Sequence, residues 1–362
     1  MGDAFAKNFE SGEEVGASVA VTIDGEFVVD LWAGQAAEGG ADWQEDTIVN
    51  VYSTTKTMAS LCMHILADRG ELDFERRVGD YWPEFKAGGK QDVTVAHVMS
   101  HQAGLSGWDE SLEVSDLYDW EKCTSLLAAQ IPWWEPGTAC GYHSLTQGYL
   151  QGEILRRIAG QSLGSFFAEH VARPLGADFH IGLDPSHDDR VGELKPPGIA
   201  PDAYGLEEGT IASRTLGNPT PTAEEPRTRA WRAAEIPAAN GFGNARSVSR
   251  VHSAMACGGE VDGVRIHSSA VIGRIVEEQI SGMDLVLGMP QRYGMGYGLA
   301  TAEMPLPSPR AFFWGGWGGS LAIIDPDLRM SVSYVMNRMY PSLTGDMRGA
   351  MIALAAYGAA MS

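Results

Sequence analysis

The sequence predicts an α+β protein in which an antiparallel sheet, flanked by helices and assembled from both chain ends, carries an inserted, mostly helical region. Three observations carry this reading. Ser18-Val19-Ala20-Val21-Thr22-Ile23 and Glu26-Phe27-Val28-Val29-Asp30-Leu31-Trp32 are rich in β-branched and aromatic residues and meet at Asp24-Gly25, the strongest short-range hairpin signal. Near the other end, Ala311-Phe312-Phe313-Trp314, then Ser320-Leu321-Ala322-Ile323-Ile324, a turn at Asp325-Pro326-Asp327, and Met330-Ser331-Val332-Ser333-Tyr334-Val335-Met336 read as an antiparallel meander. Between about Val93 and Leu175 helical periodicity dominates and strand signals are nearly absent.

In chain order, Phe5 and Phe9 mark a short amphipathic segment ahead of the hairpin. A helix beginning near Ser53 is apolar nearly all round through Met58, Ala59, Leu61, Cys62, Ile65, Leu66 and Ala67, the pattern of a helix buried in a core. The stretch from Lys195 to Ala239 holds Pro196, Pro197, Pro201, Pro219, Pro221, Pro226 and Pro237 with little periodicity; a lid, a pocket wall and a structural excursion all fit a loop of that length. Gly349 to Met361, rich in Ala, Met, Ile and Leu, is expected to form a helix covering the sheet. The expected organisation is therefore residues 1–78 with 238–362 as the sheet-bearing region and 79–237 as the mostly helical one, with the Pro-rich loop at 195–239.

Composition narrows the function. The 362 residues have an apolar fraction of 44%, ordinary for a globular chain with a sizeable core. The formal charge of −21 disfavours nucleic acid, whose phosphates need clustered Lys and Arg. No run reaches the ~18 apolar residues of a spanning helix, and the first ten residues lack a basic segment followed by an apolar one. A cytoplasmic protein without a membrane partner is expected. Cys62, Cys123, Cys140 and Cys257 lie far apart, with no spacing that suggests zinc or a redox pair, and read as reduced thiols.

The motif with the most chemistry is Val51-Tyr52-Ser53-Thr54-Thr55-Lys56, where a serine stands three residues ahead of one of only six lysines at an expected helix start. Residues at that spacing share a helix face. A lysine held close and partly desolvated can take the serine proton or stand beside it as a cation, which suits acyl-enzyme formation. The helix N-terminus adds backbone N–H groups for an oxyanion. The bland alternative is an exposed Ser and Lys on a helix, but a lysine on so apolar a helix is costly without a partner or a role.

Competing motifs are weaker. Gly160-Gln161-Ser162-Leu163-Gly164 matches the nucleophile elbow G-x-S-x-G, which needs a preceding strand; here the preceding residues 149–158 are helical, so Gly160 reads as a helix terminator and Ser162 as the next helix cap. His97 and His101, four apart on an expected helix, could present two metal ligands, but Val98 stands where a zincin has Glu, and no metal and no cofactor are predicted. Trp314-Gly315-Gly316-Trp317-Gly318-Gly319-Ser320 lacks a P-loop lysine; glycines beside a strand signal close approach of backbone to substrate, or a bulge between strands. Tyr142-His143-Ser144 offers a phenol that a nearby lysine could bring to a lower pKa, as general base, although Tyr340-Pro341-Ser342 has the same spacing.

In order and separation these pieces resemble the serine β-lactamase and penicillin-binding-protein superfamily, most closely the class C β-lactamase-like branch that includes the family VIII carboxylesterases. Ser53-Thr54-Thr55-Lys56 matches Ser-x-x-Lys, Tyr142-His143-Ser144 takes the place of Tyr-x-Asn, and Trp314-Gly315-Gly316 that of Lys-Thr-Gly. Residues 95–105, 134–138 and 240–247 extend the similarity over nearly the whole chain. The resemblance implies a β-lactamase/transpeptidase-like fold, Ser53 as nucleophile, Lys56 and Tyr142 sharing the proton transfers, and an oxyanion between the backbone N–H groups of Ser53 and Trp317. It places Ser144, Trp314, Gly315 and Gly316 against substrate. Trp314 supplies no cation for a substrate carboxylate, so an uncharged small ester is favoured, with Trp314, Trp317 and either Trp133 or Trp134 giving apolar walls. β-Lactam or D-amino-acid amide hydrolysis, acyl transfer to an alcohol, and a catalytically silent scaffold are the alternatives.

Overall fold

The computed structural model describes residues 1–198 and 206–361; Ile199 to Gly205, inside the Pro-rich loop, and Ser362 lie outside the described residues. The N-terminal hairpin is β1 (Gly16–Ile23) and β2 (Glu26–Gly34). Asp24 and Gly25 both have positive φ, +51° and +90°, which a two-residue turn of this hand requires. The short strands β3 (Val49–Asn50), β4 (His180–Ile181) and β5 (Gly241–Gly243) form a small antiparallel sheet of order β3-β5-β4, and β6 (Glu260–Val261) pairs with β7 (Val264–Arg265). The C-terminal part supplies β8 (Ile280–Met283), β9 (Pro290–Tyr293), β10 (Gly298–Leu299), β11 (Phe312–Gly315), β12 (Leu321–Asp325) and β13 (Met330–Met336).

The main sheet is antiparallel throughout, in the order β2-β1-β13-β12-β11-β10-β9-β8, so the two chain ends meet at the β1–β13 pair. The expected meander is β11-β12-β13; β8, β9 and β10 extend it beyond what the sequence reading named, because these short strands carry Gly282, Pro290 and Gly298 rather than alternating apolar residues. Helix Ala245–Ala256 packs on one face of the sheet, and the C-terminal helix Met347–Ala360, beginning two residues before its expected start, packs with helix Gly2–Glu10 against β13 from the other. With both faces covered, every residue of β11, β12 and β13 is buried.

The segment 93–175 is less regular than its periodicity implies. Its long helices are Trp120–Ala129 and Thr146–Ala159, with irregular chain of turns and bends before them at 101–113 and between them at 130–145. Helix Thr55–Asp68 is buried through its first twelve residues and packs against Thr146–Ala159, joining the sheet side and the helical side in one apolar cluster. Gly160 caps the latter helix in the left-handed conformation, and Ser162 caps the next, accepting from Ser165 N and donating to Glu235 at 2.6 Å.

Candidate active site

Ser53 lies in a 3₁₀ turn, Tyr52–Thr54, between β3 and helix Thr55–Asp68. Tyr52 has φ +43°, a conformation that costs an aromatic residue energy and persists only where its surroundings over-determine it. Those surroundings are explicit. Thr55 Oγ1 donates to Tyr52 O at 2.5 Å and accepts from Gly241 N at 2.9 Å, while Val51 N donates to Gly241 O at 2.9 Å. The Tyr52 ring packs edge-on to Trp317 at 4.9 Å. Behind the turn, Ser320 Oγ donates to Val51 O at 2.8 Å and lies 2.9 Å from Thr54 Oγ1, stitching it to the β11–β12 connection.

Lys56, one turn along, is 2% exposed and reaches Ser53 Oγ at 3.1 Å, Ser144 O at 2.6 Å and Ala238 O at 3.0 Å. Burial holds its amine well below the ordinary lysine pKa. Protonated, the amine donates to all three oxygens; when neutral, its two N–H bonds serve the two carbonyls and its lone pair is left for the serine hydroxyl. Tyr142 is also buried, and its Oη donates to Ser53 Oγ at 2.5 Å. The expectation of a lowered phenol pKa is reversed: burial is the largest influence and pushes it up. The same burial disfavours the Lys56 charge that would have favoured a phenolate. Lys56 Nζ sits 4.7 Å from the centre of the Tyr142 ring.

The neighbouring histidines support this geometry. His143 Nδ1 lies 2.6 Å from Gly141 O and Nε2 accepts from Leu105 N at 3.1 Å, which fixes the proton on Nδ1; burial lowers this imidazole to about 3. His101 Nδ1 accepts from His143 N at 3.0 Å. His97 and His101 do not share a helix face, because helix Val95–Met99 ends before His101, whose φ is +62°, and His97 is committed to the Thr94 capping box. Among the described residues no group of three His, Cys, Asp or Glu side chains gathers as a metal site.

The remaining expected site residues divide. Ser144 lines the cleft and its carbonyl holds Lys56. Trp317 lines it beside Ser53. Trp314 does not: it is 3% exposed and packs behind Tyr142 at 5.4 Å between ring centres. Gly315 and Gly316 serve backbone approach. A Cβ on Gly316 would stand 2.2 Å from Val51 O and 3.3 Å from Ser53 N, and one on Gly315 would stand 2.3 Å from Thr344 O. Trp133 stacks under Arg214 and Trp134 packs on His143, both away from the cleft lining. Tyr340, of the second Tyr-x-Ser, lies under Arg348.

The cleft above Ser53 is a cavity of about 80 Å³. Its walls include Leu216, Pro219, Pro221 and Trp231 from the Pro-rich segment and Leu343 from the β13–helix connection. Pro219 and Pro221 belong to the stretch for which a pocket wall is one of the expectations; Leu216, Trp231 and Leu343 carry no such signal of their own. Trp231 Nε1 donates to Asn50 Oδ1 at 2.6 Å, tying that wall to β3.

A family model described as Beta-lactamase matches residues 3–357. Over 352 residues the chain is 35% identical to "Esterase/beta-lactamase LipL" of Mycobacterium tuberculosis, covering 94% of this chain and 81% of that one. A crystal structure of a family VIII carboxylesterase superposes with TM-score 0.92 at 47% identity, covering 98% of this chain and 95% of the other. EstA from Arthrobacter nitroguajacolicus Rue61a superposes with TM-score 0.90 at 30% identity, covering 100% and 96%. A fold shared over essentially its full length with an esterase of this kind, and a family model spanning nearly every residue, place the chain in the beta-lactamase family.

Proposed function

We infer that the chain is a serine carboxylesterase that hydrolyses small, uncharged, short-chain esters through an acyl-enzyme on Ser53. The observation that carries this is Ser53 Oγ held between Tyr142 Oη at 2.5 Å and a buried Lys56 Nζ at 3.1 Å. In the reaction, Ser53 Oγ attacks the ester carbonyl as its proton passes to Lys56. The oxyanion lies against the backbone N–H groups of Ser53 and Trp317, a reading supported by the close approach of Gly316 to Ser53 N. Collapse breaks the ester C–O bond; the leaving alkoxide takes the Tyr142 proton, which Lys56 replaces. Water then attacks the acyl-enzyme, giving up its proton along the same path, and releases the acid with Ser53 restored.

The small apolar cleft supports a short acyl group. Relatives named esterase and carboxylesterase support the ester class. β-Lactam hydrolysis as a secondary activity is favoured by the double name of the Mycobacterium tuberculosis relative. Four free cysteines support a reducing, cytoplasmic setting. If 1–78 with 238–362 and 79–237 are the two regions, Ser53 and Trp317 come from the first and Tyr142 from the second, with the reaction at their junction. The test is turnover of p-nitrophenyl acetate, butyrate and octanoate beside a chromogenic cephalosporin, in wild type and Ser53→Ala. Short-ester turnover lost in the variant is expected; ester turnover that survives it would overturn the assignment.

A further inference from the structure

Tyr142 belongs to an apolar cluster separate from the main core: Cys140, Tyr142, Val286, Tyr293 and Trp314, with Leu216 and Leu287 packed against it. A phenol that must stay within hydrogen-bond reach of Ser53 needs more than apolar contact to fix it, since dispersion is not directional. The directional contact comes from Asp284, at the start of the turn between β8 and β9 and 142 residues away in sequence. This carboxylate is 1% exposed. Its Oδ1 accepts from Tyr142 N at 3.0 Å and from Val286 N and Leu287 N at 2.8 Å each, and its Oδ2 accepts from Tyr293 Oη at 2.8 Å. All four donors are neutral, and together they satisfy the oxygens of a buried carboxyl group whose burial would otherwise be costly. A second tie runs beside it, Leu285 N to Cys140 O at 2.9 Å. Tyr293 continues the chain of contacts, its ring lying 4.8 Å from His101 and 5.9 Å from Trp314, both of which touch the Tyr142 ring.

We propose that Asp284 is the positioning residue for Tyr142: it fixes the backbone from which the phenol reaches Ser53 and locks the 284–288 turn against the wall that carries Leu216. This rests on the esterase reading above. Asp284 touches neither substrate nor Ser53, so its effect on turnover must pass through Tyr142. The Asp284 charge also opposes ionisation of the phenol, in the same direction as burial.

The experiment is a double-mutant cycle on p-nitrophenyl acetate hydrolysis with Asp284→Ala, Asp284→Asn and Tyr142→Phe. Asp284→Ala is expected to lower kcat about 10- to 100-fold with KM nearly unchanged, the scale of an ångström-sized misplacement. Asp284→Asn, whose amide oxygen still accepts the three backbone N–H groups, is expected to retain kcat within about threefold. In the Tyr142→Phe background the Asp284→Ala penalty should nearly vanish. If Asp284→Ala is recovered unfolded, Asp284→Ser keeps a hydroxyl for the turn amides while falling short of Tyr142, and takes its place in the cycle. A folded Asp284→Ala with wild-type kcat, or a penalty equal in both backgrounds, would overturn the proposal. Ester turnover surviving in Ser53→Ala would instead overturn the esterase reading, so the two failures are distinguishable.

Discussion

Tyr142 Oη meets Ser53 Oγ at 2.5 Å across 89 residues of sequence, and it meets it as a protonated donor, because burial raises the phenol pKa. A donor on Oγ steadies the oxygen before and after its proton leaves, and it is the nearest acid for a departing alkoxide. Tyr142→Phe keeps the ring packing against Trp314 and His101 and removes only this hydroxyl. The expected result is a fall in kcat of about 10²–10⁴ with a melting temperature close to wild type, read by steady-state kinetics and thermal denaturation. Activity within threefold of wild type would remove Tyr142 from the reaction.

Lys56 separates two roles that its position alone leaves joined. As a base it must be neutral, and burial lowers its pKa; the neutral fraction therefore grows as pH rises through that lowered value, well before an ordinary lysine would titrate. The kcat/KM profile is expected to rise along one acid limb and reach its plateau far below the usual lysine range. Lys56→Arg retains a cation and donors for Ser144 O and Ala238 O but cannot accept a proton near neutral pH. It should be as inactive toward p-nitrophenyl acetate as Lys56→Ala. Substantial turnover by the arginine variant would make Lys56 an electrostatic partner only.

Much of this site is written in local sequence. Ser53 and Lys56 meet by their spacing, across a 3₁₀ turn that runs into the helix, Asp24-Gly25 dictates its hairpin, and the missing strand before Ser162 removes a false nucleophile elbow. What the sequence hides is long range. Trp314 is expected at substrate because Trp314-Gly315-Gly316 takes the place of Lys-Thr-Gly, yet β11 is covered on both sides and the indole packs behind Tyr142. Asp284 carried no signal at all, since an acid beside a turn usually faces water and only the fold brings it to Tyr142 N. The cleft wall at 215–221 lacks periodicity for the same reason: its conformation is held by Asn218, which bonds Leu112 N, Trp108 O and Glu110 O across the fold.

Gly316 tests the approach of the β11 edge to the Ser53 turn. A methyl group there would lie 2.2 Å from Val51 O and 2.3 Å from Ser320 Oγ, neither of which can retreat without breaking the Ser320–Val51 bond. Gly316→Ala is expected to cost about 1–3 kcal/mol of stability, as overpacking does, and to lower kcat further than the stability loss explains, because Trp317 moves with the strand. Thermal denaturation with kinetics well below the melting temperature checks both; wild-type kcat in a folded variant would show that the spacing is not needed for turnover.

Chain-length preference should follow the volume behind Ser53. The cavity is about 80 Å³, and one wall is Leu216, at the end of helix Ile211–Leu216, where the half-buried side chain lies between the cleft and the Tyr142 cluster rather than in the main core. Truncating it enlarges the cleft without removing a hydrogen bond, and each additional methylene that gains an apolar contact is worth about 1–3 kcal/mol in discrimination at most. Leu216→Ala is therefore expected to raise the ratio of kcat/KM for p-nitrophenyl octanoate over acetate several-fold, mainly through the octanoate value. Leu343→Ala opens the wall that comes from the β13–helix connection and serves as the comparison: if the acyl chain runs toward the Pro-rich segment, only the Leu216 variant changes the ratio. An unchanged ratio in Leu216→Ala with a change in Leu343→Ala would place the alcohol group, not the acyl chain, against Leu216.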